Sequence, residues 1–349
     1  MKYLFHLGHP AHFHLFKNTI ATLKRNGDTT YVLIKKKDIL EDLLIEANID
    51  YYNILPGGRK NSKLGISIGL LKQTIRLFFF TLRKKPDLLI GSTFPIAVVG
   101  RLLGIKSLLF NEDDAEVVPA FVKLCYPHIS KIIAPEVCSV GKYGSKKISY
   151  EGYHELAYLH PNHFSPDKII VEKYIPLDSP FFVLRFSDLS AYHDEGIKGI
   201  STEMCRNIIK ILKPHGNIYI SSEKELDGEF EAYRIKINPL HMHHIMAFAK
   251  IFIGDSQTMA AEAGVLGTPF IRYNDFVGRI SYLNEIEDKY QLGYGFKTRD
   301  IDAVYKKLEE LLATAGLEEK WQLKRTRLLN DKIDLNTFMI KVLHDHAKN

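Results

Sequence analysis

The stretch from Lys250 to Ile271 leaves this chain few choices of fold. Its first four residues, Lys250 to Ile253, read as a short buried strand. Gly254 permits a tight turn, and Asp255 or Ser256 can cap the helix that follows. Thr258 to Leu266 reads as that helix, with the small, helix-favouring residues Ala260, Ala261 and Ala263. Gly267 ends it, Pro269 prevents its continuation, and Phe270 opens a new strand. Such a unit puts free backbone N–H groups and the positive end of a helix dipole at the C-terminal edge of a sheet, which suits a phosphate. Glu262, less than two turns in, is placed to accept hydrogen bonds from a sugar. Phosphate donors beside a hydroxyl acceptor point to a nucleoside diphosphate with its ribose. The alternative is an ordinary helix–strand turn with a solvated Glu.

Strands and helices alternate along the whole chain. Lys2 to Leu7, Thr29 to Ile34, Tyr51 to Leu55, Asp87 to Gly91, Lys106 to Phe110 and Lys131 to Ala134 read as strands of the first half. Phe181 to Phe186, Asn217 to Ile220 and Tyr233 to Ile237 read as strands of the second. Helices are expected over Leu15–Arg25, Ser201–Leu212, Leu240–Ala249, Asp302–Ala313 and the charged C-terminal segment from Leu317. This alternation argues parallel doubly wound sheets, with ligands at their C-terminal strand edges. At 349 residues the chain suits two domains: 1–155, then 156–330 opening on a proline-rich connector (Pro161, Pro166, Pro176 and Pro180), and a last helix over 331–349.

Composition narrows the partners. Cys125, Cys138 and Cys205 are scattered, odd in number and without metal-ligand spacing, so free thiols in a reducing compartment are expected. Met1 to Leu7 is too short for a signal peptide, and the most apolar region, Leu64 to Leu82, is interrupted by Lys72 and Arg76. A cytoplasmic protein is expected, either free or peripheral at the inner face of a membrane. Residues 1–110 carry 17 Lys and Arg against 7 Asp and Glu, while the remainder is net acidic. No nucleic-acid-binding motif accompanies that basic half. Leu64 to Lys85 reads as a core helix with solvated basic ends. Its other reading is an interfacial helix on an anionic bilayer, giving access to a lipid-linked acceptor.

Several side chains carry chemistry. His12 and His14 follow the first strand, where a neutral imidazole can deprotonate or polarise a hydroxyl. Glu112, Asp113, Asp114 and Glu116 cluster after another strand, and one of them is a candidate base, its pKa raised by acidic neighbours. Arg185 ends a strand of the second half and can grip a phosphate with a fork of donors; Arg272 is a weaker second. His241, His243 and His244 lack a completing ligand for metal, so His241 near phosphates is the better expectation.

Ser256 to Pro269 resembles the donor-site segment of glycosyltransferases of the type-B (GT-B) architecture, shared with the non-hydrolysing UDP-N-acetylglucosamine 2-epimerases: a small-residue turn, Glu-Ala, then Leu-Gly-x-Pro. With His9–Phe16, Tyr150–Leu159, Leu184–Phe186 and Ala191–Asp194, the chain is most similar to an uncharacterised domain family of that superfamily, found beside polysaccharide genes. The resemblance implies two Rossmann-like α/β domains with parallel sheets facing across a cleft, the last helix crossing back to the first domain. The second domain would bind a nucleotide-diphosphate sugar through Arg185, His241, Ser256, Gln257, Thr258 and Glu262. The first would hold a lipid-linked or glycan hydroxyl acceptor, with His12, His14, Glu112 or Asp113 in catalysis. The expected activity is metal-independent glycosyl transfer in surface polysaccharide or glycoconjugate synthesis, with the nucleotide-sugar as substrate and no cofactor. The alternatives are a sugar-nucleotide epimerase or hydrolase, or a non-catalytic nucleotide-sugar-binding protein. In the epimerases a catalytic Glu would fall on Glu112, but their Gly-Asp-Thr motif here reads Gly91-Ser92-Thr93. The missing carboxylate argues against epimerisation.

Overall fold

The computed structural model describes residues 1–37, 39–58, 63–186, 200–222 and 225–347, without the side chains of Lys63 and Leu64. The Ala191–Asp194 stretch singled out from the sequence lies outside the described residues. The chain forms two compact units, Met1–Tyr158 with Ile333–Asn349, and Leu159–Lys332.

In the first unit β1 (Lys2–Leu7), α1 (Pro10–Arg25), β2 (Thr29–Lys35), α2 (Leu40–Glu46), β3 (Tyr52–Leu55), α3 (Lys63–Lys84), β4 (Leu88–Gly91), α4 (Phe94–Leu103), β5 (Ser107–Phe110), α5 (Pro119–Cys125), β6 (Lys131–Pro135) and β7 (Lys147–Tyr150) follow one another. Among the described residues they build a seven-stranded sheet, order β3-β2-β1-β4-β5-β6-β7, parallel throughout. β4 and β5 are buried at every position, because helices cover both faces. Leu4, Leu33, Leu77, Leu89, Ile96, Leu109 and Ile132 meet in the core on one side.

The second unit contains α6 (Lys168–Glu172), β8 (Phe181–Phe186), α7 (Thr202–Leu212), β9 (Asn217–Ser222), α8 (Met242–Phe248), β10 (Ile251–Gly254), α9 (Gln257–Leu266), β11 (Phe270–Tyr273), α10 (Ser281–Asn284), β12 (Gly293–Phe296), α11 (Ile301–Leu312) and α12 (Leu317–Asp331). Its described strands form a parallel sheet in the order β12-β11-β10-β8-β9. The strand expected over Tyr233–Ile237 is absent among the described residues. A 3₁₀ turn at Gly228–Tyr233 stands there instead, with a single bridge from Arg234 to Ile220. The final helix, α13 (Leu335–Ala347), packs on α1 of the first unit, where Thr19 Oγ1 donates to Asn336 Oδ1 at 2.8 Å.

α3 departs from the core helix expected there. Leu77 enters the core, but Ile68, Leu71, Ile75, Phe79 and Leu82 are exposed, while Gly69, Gln73 and Thr81 are buried. The cause is geometric: the face that meets β3 and α4 carries the small and polar residues.

Candidate functional site

In the second unit β10 is completely buried and ends at Gly254. A Cβ on Gly254 would lie 2.9 Å from the Cβ of Arg185 on neighbouring β8, so no other residue fits without moving that strand. Ser256 is the N-cap of α9, its Oγ accepting from the Met259 backbone N–H at 3.3 Å. Gly267 closes the helix with φ +80, the left-handed conformation that glycine adopts without strain. Gln257 and Thr258 are the first two helical residues and half-buried, so the first turn of α9 presents its N–H groups at the C-terminal edge of the sheet. Arg185 ends β8 beside it and donates from Nη1 to Ser221 Oγ at 2.8 Å.

Glu262 is not the solvated side chain of an ordinary turn. It is buried, and Oε1 lies 2.9 Å from Nε2 of the equally buried His243. A carboxylate can only accept, so His243 carries the proton on Nε2. His241 and His244 have partners of their own: His241 Nδ1 meets the Tyr174 hydroxyl at 2.9 Å, and His244 Nδ1 accepts from the Asp167 backbone N–H at 3.0 Å while its ring packs on Phe164. Arg272 is fully buried, with Nε donating to Glu287 Oε1 at 2.9 Å and no partner for Nη1 or Nη2 among the described residues. Burial pushes the Glu287 carboxyl up, and Arg272 pulls it back down.

The first unit gathers imidazoles at the C-terminal ends of β1 and β4. His6, fully buried at the end of β1, holds Nδ1 2.6 Å from Thr93 Oγ1. Its Nε2 and the hydroxyl of Ser92 have no hydrogen-bond partner among the described residues. Burial, with Lys35 nearby, lowers its pKa to about 3. α1 begins earlier than expected: His9 is its N-cap, accepting at Nδ1 from the Ala11 N–H, and Pro10 takes the first helical position.

His12 Nδ1 accepts the Gly8 backbone N–H at 3.1 Å. That bond fixes its neutral tautomer with the proton on Nε2, so His12 presents a donor and not the lone pair of a base. Burial first, then His9, Lys35, His154 and His6, hold its pKa well below the ordinary value. His14 points elsewhere, buried edge-on to Phe13 and 5.3 Å from the Tyr158 ring.

The acidic run divides by role. Asp114 Oδ1 is buried, accepting from the Ser139 N–H at 2.6 Å, and Glu116 accepts from the Ser139 hydroxyl at 3.1 Å; both fasten the loop. Asp113 is half-exposed. Glu112 turns to His154, its Oε2 3.2 Å from Nδ1 and 3.3 Å from the His154 backbone N. With Nδ1–H donated to a carboxylate, His154 keeps its lone pair on Nε2, which is buried without a partner among the described residues. Burial outweighs the neighbouring carboxylates Glu155 and Asp113 and lowers its pKa to about 4. His6 and His154 were not among the residues expected in the site. The Tyr150–Leu159 stretch held a signal for His154, but nothing local marks its pairing with Glu112.

Two parallel-sheet α/β units of this kind define a two-domain Rossmann-like protein of the GT-B type. Many solved structures share the fold, and three serve as examples. The UDP-GlcNAc 2-epimerase from Neisseria meningitidis bound to UDP-GlcNAc is 15% identical, with a TM-score of 0.65 over 99% of this chain and 100% of that one. The spinosyn forosaminyltransferase SpnP is 14% identical, with a TM-score of 0.66 over 100% of both chains. The spinosyn rhamnosyltransferase SpnG complexed with thymidine diphosphate is 12% identical, with a TM-score of 0.65 over 99% of this chain and 100% of that one. Among proteins with curated descriptions, none matches by sequence. The chain belongs to the family described as protein of unknown function DUF354, whose model matches residues 2–343.

Proposed function

We propose that this protein transfers a sugar from a nucleotide-diphosphate donor to a hydroxyl acceptor, lipid-linked or glycan, in surface polysaccharide or glycoconjugate assembly at the cytoplasmic side of a membrane. One observation carries the reading: the capped first turn of α9 opens at the C-terminal edge of the second sheet, beside Arg185. Backbone N–H groups, a helix dipole and a guanidinium suit a diphosphate. The shared fold supports the reading, since two of the solved relatives were crystallised with UDP-GlcNAc and thymidine diphosphate. In this reading Glu262, oriented by His243, accepts from the ribose hydroxyls.

In the first unit the pair Glu112–His154 is the base of this proposal. The acceptor oxygen gives its proton to His154 Nε2 as it bonds to the sugar's anomeric carbon. The bond from that carbon to the diphosphate breaks, and the electron pair leaves with the nucleoside diphosphate. Glu112 stabilises the imidazolium that forms. His12 donates from Nε2 and polarises a substrate oxygen.

Calorimetric titration with UDP, GDP, CDP and dTDP tests the donor site, with Glu262→Ala as control. Tight binding of one nucleotide, lost in the variant, supports the proposal; no binding of any nucleotide refutes it. Glu112, where the 2-epimerases carry a catalytic Glu, favours one second reading, a sugar-nucleotide epimerase or hydrolase. That reading requires donor turnover without an acceptor. A non-catalytic binding protein would leave His154→Ala functional in cells.

A further inference from the structure

We infer that the outer face of α3 docks the first unit on an anionic lipid surface. This surface is independent of the sugar-transfer reading. Ile68, Leu71, Ile75, Phe79 and Leu82 are 44%, 61%, 47%, 64% and 44% exposed. At a helical turn of about 100° per residue, these five positions fall within an arc of about 80°. They form one continuous stripe along the helix. Its inner face buries Gly69, Gln73, Leu77 and Thr81. Gln73 is held by Gly69 O at 3.1 Å, and Thr74 returns its hydroxyl to Leu70 O at 2.8 Å. A water-facing helix turns its polar positions outward and an apolar stripe inward, the reverse of Gln73, Thr81 and this stripe.

Charge selects the occupant. Lys72, Arg76 and Arg83 are exposed and run along one edge of the stripe, and Lys85 follows at the end of the helix. From Tyr51 to Pro86 the sequence has eight Lys and Arg and no Asp or Glu. Two copies of α3 stacked stripe to stripe would bring these cations together with no carboxylate on either helix to neutralise them. Anionic headgroups supply that charge, and acyl chains accept the stripe.

The helix is long and apolar enough, by length and composition, to cross a membrane. It is instead fastened to its unit. Leu77 sits in the core, Arg76 Nη1 donates to Ile54 O at 2.7 Å, Phe80 packs on Tyr31 and Tyr52, and Lys84 lies over the Tyr31 ring. These contacts leave α3 lying along the surface with the stripe outward.

The test is flotation of the full chain with vesicles of phosphatidylcholine alone, and of phosphatidylcholine with about one third phosphatidylglycerol. Binding should require phosphatidylglycerol and weaken as salt rises. The double variant Leu71→Ser/Phe79→Ser should lose roughly tenfold or more of that binding. Lys72→Glu/Arg83→Glu should lose it while leaving the stripe intact. All four residues are exposed, and circular dichroism checks that the variants fold. Phe79→Trp gives a second readout, a blue shift on adding the anionic vesicles. Equal binding to both vesicles, or to neither, would overturn the inference. So would light scattering showing a dimer that Leu71→Ser/Phe79→Ser dissolves, since the stripe would then be a self-contact.

Discussion

Acidification should unfold the first unit through its buried imidazoles, and His6 allows the effect to be isolated. Its pKa falls from 6.5 to about 3 on folding because burial, then Lys35, disfavours the charged ring. Between those values the unfolded chain binds a proton that the native chain does not. The stability is therefore fully present above the unfolded value and lost as pH falls towards the folded one. The slope is about 1.4 kcal/mol per pH unit for one histidine. From about pH 6.5 to about pH 4.5, His6 withdraws roughly 3 kcal/mol. His154, lowered to about 4, withdraws a similar amount over the same window. Together they approach the whole stability of a small domain, about 5–15 kcal/mol. His6→Asn keeps a polar group near Thr93 Oγ1 and removes the titration. The assay is urea unfolding by circular dichroism across this pH range. Trp321, the chain's one tryptophan, lies in the second unit and reports that unit separately by fluorescence. The variant should be less stable than the parent near neutrality, and the gap should close by roughly 3 kcal/mol at the acid end. Parallel stability curves for parent and variant would refute the assignment of His6 as a buried neutral imidazole.

Two further outcomes follow from close contacts. Gly91→Ala would set a Cβ 2.6 Å from the His6 carbonyl oxygen, prising β4 from β1. A loss of about 1–3 kcal/mol is expected in urea unfolding of the first unit. Arg272→Met should cost about 3–5 kcal/mol by Trp321 fluorescence, since it leaves Glu287 buried opposite no charge. Arg272→Met/Glu287→Leu should recover most of that loss, because a well-packed apolar pair is close to neutral.

The strand–turn–helix unit at Lys250–Ile271 was legible because its signals are local. Gly254, Ser256, Gly267 and Pro269 each act on a neighbour in sequence, and the structure shows the cap, the turn and the stop. The start of α1 was misplaced because His9 caps it, and histidine is not among the residues that usually signal a cap. β7 and β12 were missed: Lys147–Tyr150 and Gly293–Phe296 carry polar or glycine residues and become strands through their neighbours in the sheet. The imidazole pairings were hidden for the same reason. His6 meets Thr93 across 87 residues and His154 meets Glu112 across 42. In α3, apolar residues around much of the circumference showed that a helix forms but not which face β3 and α4 would cover.

The first unit's imidazoles also show why residue type alone did not assign roles. His12 and His154 are both held neutral by burial. At His12 the Gly8 N–H occupies Nδ1, so the proton sits on Nε2 and the ring donates. At His154 the Glu112 carboxylate takes the Nδ1 proton, so Nε2 accepts. One partner atom at each ring decides whether Nε2 donates or accepts. In the proposed transfer that difference separates polarising a substrate oxygen from removing its proton, and replacing Glu112 by Gln would blur it: the amide can donate to Nδ1 and drive the proton of His154 onto Nε2. The proposed base would thereby become a second donor with no change in the position of the ring.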